Sequence, residues 1–130
     1  MTMTGEHTYA IGPLTIERSS DGGRRVLAWS GECDFRDPAV SLDPVLQAVL
    51  TDAAKESASE AELVFDFRAL AFMNSSSVTP VLRCIKMACG EGIPVRLIYN
   101  SDISWQRTVA SSMRSLRHAL KSLSVDQQSL

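Results

Sequence analysis

The chain has 130 residues and a mass of 14.2 kDa, the size of one ordinary domain with a single core. Its 45% hydrophobic and 22% charged residues exclude a disordered, collagen-like or coiled-coil chain. Thirteen Lys+Arg against fifteen Asp+Glu leave a formal charge of −2, which supplies no field for gripping a nucleic acid.

The start of the chain, residues 1–7, is polar and is expected to be ragged, as is the whole stretch 1–8. Residues 13–18 alternate apolar and polar, a turn-rich patch follows at 19–23, and residues 25–31 read as a second strand, which together predict an antiparallel hairpin. After Gly31-Glu32-Cys33-Asp34 comes a polar loop, and Asp43-Pro44 supplies a cap with proline at the first helical position. The first helix is predicted over 44–55, with Val45, Leu46, Val49, Leu50 and Ala53 at helical spacing. Small and acidic residues at 57–62 break the pattern. Leu63-Val64-Phe65-Asp66-Phe67 is then a nearly continuous apolar run of the kind buried on both faces of a sheet.

A loop is predicted over 69–77. From Val78 the positions Val81, Leu82, Ile85, Ala88 and Cys89 recur in three- and four-residue steps until Gly90 and Gly92, which predicts a second helix. Residues 95–99 form a further strand. A third helix carries Trp105, Val109, Met113, Leu116 and Leu120 as core contacts, with His118 facing solvent, and the polar tail 124–130 is expected to fray. Strand-helix-strand steps force parallel, right-handed crossovers, so the expected fold is α/β: a mixed sheet of about four strands, one antiparallel edge strand among them, and three main helices. One domain is expected over 1–130, its core at about 10–122.

No apolar run reaches the roughly 18 residues of a membrane span and the amino terminus lacks a secretory signal, so the expected setting is the cytoplasm, with no membrane partner. Cys33, Cys84 and Cys89 are odd in number and make no Cys-x-x-Cys pair. They read as small buried hydrophobes in a reducing compartment, and no metal or cofactor is expected. Motifs for nucleotide hydrolysis, acyl transfer and metalloproteolysis are absent, so an enzyme is not signalled.

In sheets of this kind sites form outside the carboxyl ends of the parallel strands, here the loops after Gly31, Phe67 and Tyr99. Asn74-Ser75-Ser76-Ser77 falls in the second of them, at a helix start. Because Pro80 lacks an N–H, regular helical bonding is expected from about Ser76 or Ser77, with Ser75 exposed at or just before the cap. Serines there are common caps. A phosphate on Ser75 would also sit where free backbone N–H groups and the helix dipole favour an anion.

The run from Leu63 through Phe67 to Phe72-Met73-Asn74-Ser75-Ser76-Ser77 resembles the signature of STAS domains, the anti-sigma factor antagonists: an apolar strand, Asp, an apolar spacer, Phe-Met/Ile, then Asp-Ser-Ser/Ala-Gly. Gly31-Glu32-Cys33-Asp34 is similar to that family's Gly-Glu-Leu-Asp. The resemblance extends over about residues 13–120 and implies a STAS-like fold and a non-enzymatic switch. It implies that the first serine, Ser75 here with Ser76 as second choice, is phosphorylated by a serine kinase that often doubles as the anti-sigma factor. A metal-dependent phosphatase reverses the step, and the unmodified form binds the partner.

The contact surface this implies is Asp34, Asn74, Ser75, Ser76 and Ser77, extended along the second helix to Arg83 and Lys86; the molecule itself is expected to be a monomer or weak dimer. Two positions depart from the pattern. Asn74 replaces the family's aspartate, removing a charge, and Ser77 replaces its glycine, where a positive φ or a close backbone approach would make serine costly. Two other readings stand beside the switch. One is a module that holds a small ligand or a constitutive partner without phosphorylation, with Trp29, Tyr99 and Phe72 lining the pocket. The other is an enzyme with Ser75 as nucleophile, disfavoured because neither histidine is placed as a base and Asp34 would need a strongly raised pKa.

Overall fold

A computed structural model describes residues 7–56, 62–116 and 119–128 of the chain. In chain order the elements are β1 (His7–Ile11), β2 (Leu14–Asp21), β3 (Arg24–Cys33), α1 (Pro38–Glu56), β4 (Glu62–Met73), α2 (Ser75–Gly90), β5 (Val95–Tyr99), α3 (Ser104–Arg114) and β6 (Leu123–Gln127). The strands lie side by side in chain order in one six-stranded sheet. β1, β2 and β3 form an antiparallel meander, and β3 to β6 run parallel. Gly22 and Gly23, both at positive φ, close the β2–β3 hairpin, as a two-residue turn matched to strand twist requires.

Each parallel step crosses the sheet in the same direction, so three right-handed crossovers place all three helices on one face. The core lies there. Leu63, Phe65 and Phe67 of β4 share one buried cluster with Leu46 and Val49 of α1, Val81 and Ile85 of α2, and Val109 and Met113 of α3. Trp29 stands edge-on to Phe67, with ring centroids 5.2 Å apart. On the other face, beside Val64 and Ile98, Arg96 bonds both Glu62 and Asp126.

Six strands replace the expected four because two short edge strands carry the sheet outward. β6 occupies most of the tail expected to fray: Leu123 and Val125 turn inward and Arg96 holds Asp126. β1 uses His7 and Thr8, placed by the sequence in the ragged start, and the meander therefore contains two antiparallel pairs. α1 begins at Pro38, not Pro44. The sequence has two Asp-Pro pairs, and the first is the true start: Val40 and Ser41 N–H groups bond the Asp37 carbonyl, and Leu42 extends the buried stripe back by one turn. Pro44 sits inside the helix, where the carbonyl that loses its donor belongs to solvent-facing Val40.

β4 runs on to Met73, so most of the loop expected over 69–77 is strand. α3 stops at Arg114, followed by a turn through Leu116 and Leu120. The expectation for His118, and most of the break expected over 57–62, lie outside the described residues. Cys33, Cys84 and Cys89 are free thiols, and burial pushes Cys84 up to about 12. No described helix is long and apolar enough to cross a membrane.

Candidate functional site

Just past the last paired residues of β3 and β4, Cys33 and Met73, Asn74 ties the two strand ends together. The Asn74 backbone N–H donates to the Cys33 carbonyl (2.9 Å) and its Nδ2 donates to the Phe35 carbonyl (3.1 Å), while its Oδ1 accepts from the Ser77 N–H (3.1 Å). Asn74 is therefore both the cap of α2 and the tie that holds the loop carrying Asp34 against the helix start. An aspartate here would keep the cap and lose the tie, since a carboxylate has no proton for Phe35.

The three serines have different fates. Ser75 and Ser76 open α2 and are exposed; Ser77 is fully buried, and its hydroxyl has no hydrogen-bond partner meeting ordinary geometry. That hydroxyl faces the Cys33 thiol, whose pKa burial raises and Ser77 partly lowers. Serine at 77 carries none of the cost that a positive φ would bring, because the residue is helical and its side chain turns inward. α2 begins at Ser75, a residue earlier than Pro80 suggested, with Pro80 in the second turn and the Ser76 carbonyl left without its helical donor. No acidic residue lies in the first turn, so the positive end of the helix is uncompensated. Asp34 is exposed and makes no hydrogen bond or ion pair among the described residues.

Gly31 bends β3 into this loop. It holds φ at +86°, and a Cβ there would lie 2.0 Å from the Pro13 carbonyl oxygen, the same oxygen that accepts from the Glu32 N–H. The β3–β4 register shifts on either side of it.

No family model matches the chain, and no curated protein matches it. Among solved structures it is similar to the crystal structure of an anti-sigma factor antagonist from Mycobacterium paratuberculosis, with a TM-score of 0.60 and 19% identity over 85% of each chain. The chain has the fold of an anti-sigma factor antagonist. The match bears out the expected α/β architecture, with the strand count corrected from about four to six.

Within this antagonist fold, Arg83 is not at the tip. It sits about 12 Å along α2 from Ser75, at 1.5 Å per residue, and pairs with Asp43 of α1 (3.2 Å). Lys86 is exposed on the same helix. The ligand pocket expected from Trp29, Tyr99 and Phe72 does not form. Trp29 is buried in the core, Tyr99 is buried with its hydroxyl bonded by Arg114, and Phe72 stands 44% exposed on β4. Among the described residues no group of three or more His, Cys, Asp or Glu is placed to hold a metal.

Two residues that sequence reasoning underrated secure the β4 end. Past Asp66, β4 has no β5 partner, and α3 takes over: Trp105 Nε1 donates to the Ala71 carbonyl (2.9 Å) and Gln106 Nε2 to the Leu70 carbonyl (3.0 Å). Gln106 Oε1 accepts from the Asn100 N–H (2.8 Å), so one side chain, 1% exposed, links the ends of β4 and β5. A signal existed: the buried stripe is Gln106, Val109, Ala110 and Met113, which shares Val109 and Met113 with the one read from Trp105 and turns Gln106 and Ala110 inward as well.

Asn74→Ala is expected to cost about 1–2 kcal/mol, the sum of a lost cap and a lost tie. Asn74→Asp should fall between it and the parent. Urea unfolding measures both, and an alanine variant within about 0.3 kcal/mol of the parent would remove Asn74 from this role.

Proposed function

We propose that the chain is a non-enzymatic regulatory module, one domain spanning residues 1–130, that binds an anti-sigma factor or a serine kinase in the cytoplasm and is switched by phosphorylation of Ser75, or of Ser76 as second choice. The observation that carries the reading is an exposed serine at the first position of α2, in an anti-sigma factor antagonist fold, with an uncompensated helix start behind it and the Asp34 loop tied beside it. Asn74, Ser75 and Ser76 with Asp34 form the contact surface. Ser77 supports it from within, and Arg83 contributes at its far margin, through the α1–α2 pair. A phosphate on Ser75 adds nearly two charges to a surface that must be desolvated on binding, and so releases the partner. A phosphatase restores binding. DNA and RNA are not partners in this reading, and the free protein is a monomer or weak dimer.

The test is phosphopeptide analysis of the protein taken from its own cells, with and without phosphatase, alongside partner recovery on Ser75→Asp and Ser75→Ala baits. Phosphate on Ser75 or Ser76 is expected, with Ser75→Asp weakening the complex by about tenfold or more and Ser75→Ala leaving it intact. Equal recovery by both variants, with no phosphate under any growth condition, would sink the switch.

A further inference from the structure

A groove of about 370 Å³ runs between α2 and α3, within the roughly 300–1,000 Å³ typical of small-molecule sites. Met73, Val78, Trp105 and Val109 give it an apolar lining, and Ser75, Thr108 and Ser112 edge it. None of these lining residues is ionisable, so a cation placed in the groove would lose water, meet no counter-charge and oppose the positive end of α2 at Ser75. The hydroxyls are not equivalent. Thr108 donates to the Ser104 carbonyl (3.1 Å) and Ser112 to the Thr108 carbonyl (3.3 Å), so both protons are engaged inside α3. Ser75 makes no hydrogen bond among the described residues. The groove therefore offers one hydroxyl donor at its open side and an apolar surface beyond it.

We infer that this groove is a binding site for a largely aliphatic, non-cationic molecule with an acceptor oxygen at one end, a ketone or ester for example, whose oxygen takes the Ser75 proton while its chain lies along Val78, Trp105 and Val109. The match is between an uncharged lining and an uncharged chain, and between a single donor and a single acceptor. The site belongs to the unmodified chain and does not depend on the proposed switch. Its competition with a phosphate rests on the proposed switch: phosphate would replace the donor with acceptor oxygens and set a dianion at the edge of an apolar groove.

The test uses the full unphosphorylated chain and two ten-carbon probes, 2-decanone and decylammonium, read by the indole N–H resonances of Trp105 and Trp29. 2-Decanone should shift Trp105 saturably and leave the core residue Trp29 unmoved, with decylammonium about tenfold weaker. Thr108→Phe, an exposed change that fills the groove, should abolish the response, and Ser75→Ala should weaken 2-decanone about fivefold, the worth of one hydrogen bond. A shift that never saturates, Trp29 moving with Trp105, equal binding of decylammonium, or indifference to either substitution would overturn the inference. Because no arm uses a kinase or protein partner, its failure would leave the phosphorylation switch standing, and the reverse.

Discussion

Replacing Gly31 by alanine is expected to destabilise the fold by roughly 3–5 kcal/mol. A non-glycine residue held at positive φ costs about 1–3 kcal/mol, and forcing the neighbours of a new methyl group apart costs a similar amount. Here the methyl carbon would stand 2.0 Å from the Pro13 oxygen, a backbone atom that has no rotamer with which to escape. The Pro13 carbonyl also holds the Glu32 N–H, so moving it disturbs the end of β3 that leads into the Asp34 loop. Gly22→Ala is the matching control. Gly22 has φ +58° with nothing within 4 Å of its absent Cβ, so it should show the conformational cost alone, about 1–2 kcal/mol. Urea unfolding of the two variants separates the contributions, and equal losses would show that the close approach to Pro13 relaxes freely.

Gln106→Leu should cost about 2–4 kcal/mol despite its similar volume. It strands the Leu70 carbonyl and the Asn100 N–H, each worth about 1–3 kcal/mol when buried without a partner. Gln106→Glu retains an acceptor for Asn100 and loses the donor to Leu70, so a loss is expected there too, since it also buries a charge. The informative readout is local. With Leu70 released, the Trp105 bond to Ala71 should loosen, and indole and amide hydrogen exchange at positions 70–73 should quicken before global unfolding does. Unchanged protection at 70–73 in a destabilised Gln106→Leu variant would show that Trp105 holds the β4 end alone.

Much of the architecture is legible where apolar residues keep one period. Leu14 and Ile16, Leu27 and Trp29, and Leu63 to Phe67 marked their strands, and Val81, Ile85 and Ala88 marked α2. The edge strands were obscured by their own exposure. A five-residue strand with one side to solvent, such as Leu123-Ser124-Val125-Asp126-Gln127, has only two inward residues to show, and its pairing with Arg96 of β5 is invisible locally. The start of α1 was ambiguous because Asp37-Pro38 and Asp43-Pro44 carry the same capping chemistry, and only the packing of Leu42 separates them.

At the candidate site, the helix start at Asn74 to Ser77 was readable, but the division of labour within it was not. Serine carries no hydropathy signal, yet Ser77 falls four, seven and eight residues before Val81, Cys84 and Ile85, on the buried stripe. The second role of Asn74, the bond to Phe35 across the β3–β4 ends, and the capture of Arg83 by Asp43 both depend on contacts about 40 residues apart, beyond any local pattern.

Because every strand pairs only with its neighbours in the chain, the sheet can grow by accretion. The meander closes through short turns, and each later strand docks onto the one before it. The three parallel closures, Arg24 to Glu62, Leu63 to Val95 and Val95 to Leu123, span similar lengths of chain, and their entropic costs differ by only about 0.3 kcal/mol. No single closure is a bottleneck on that account, and no strand must wait for a distant one to be threaded between its neighbours. The last strand added, β6, breaks a single ladder on departure, as does β1 at the opposite edge, so the molecule can open at either edge while the Asn74 junction at the centre of the sheet stays assembled.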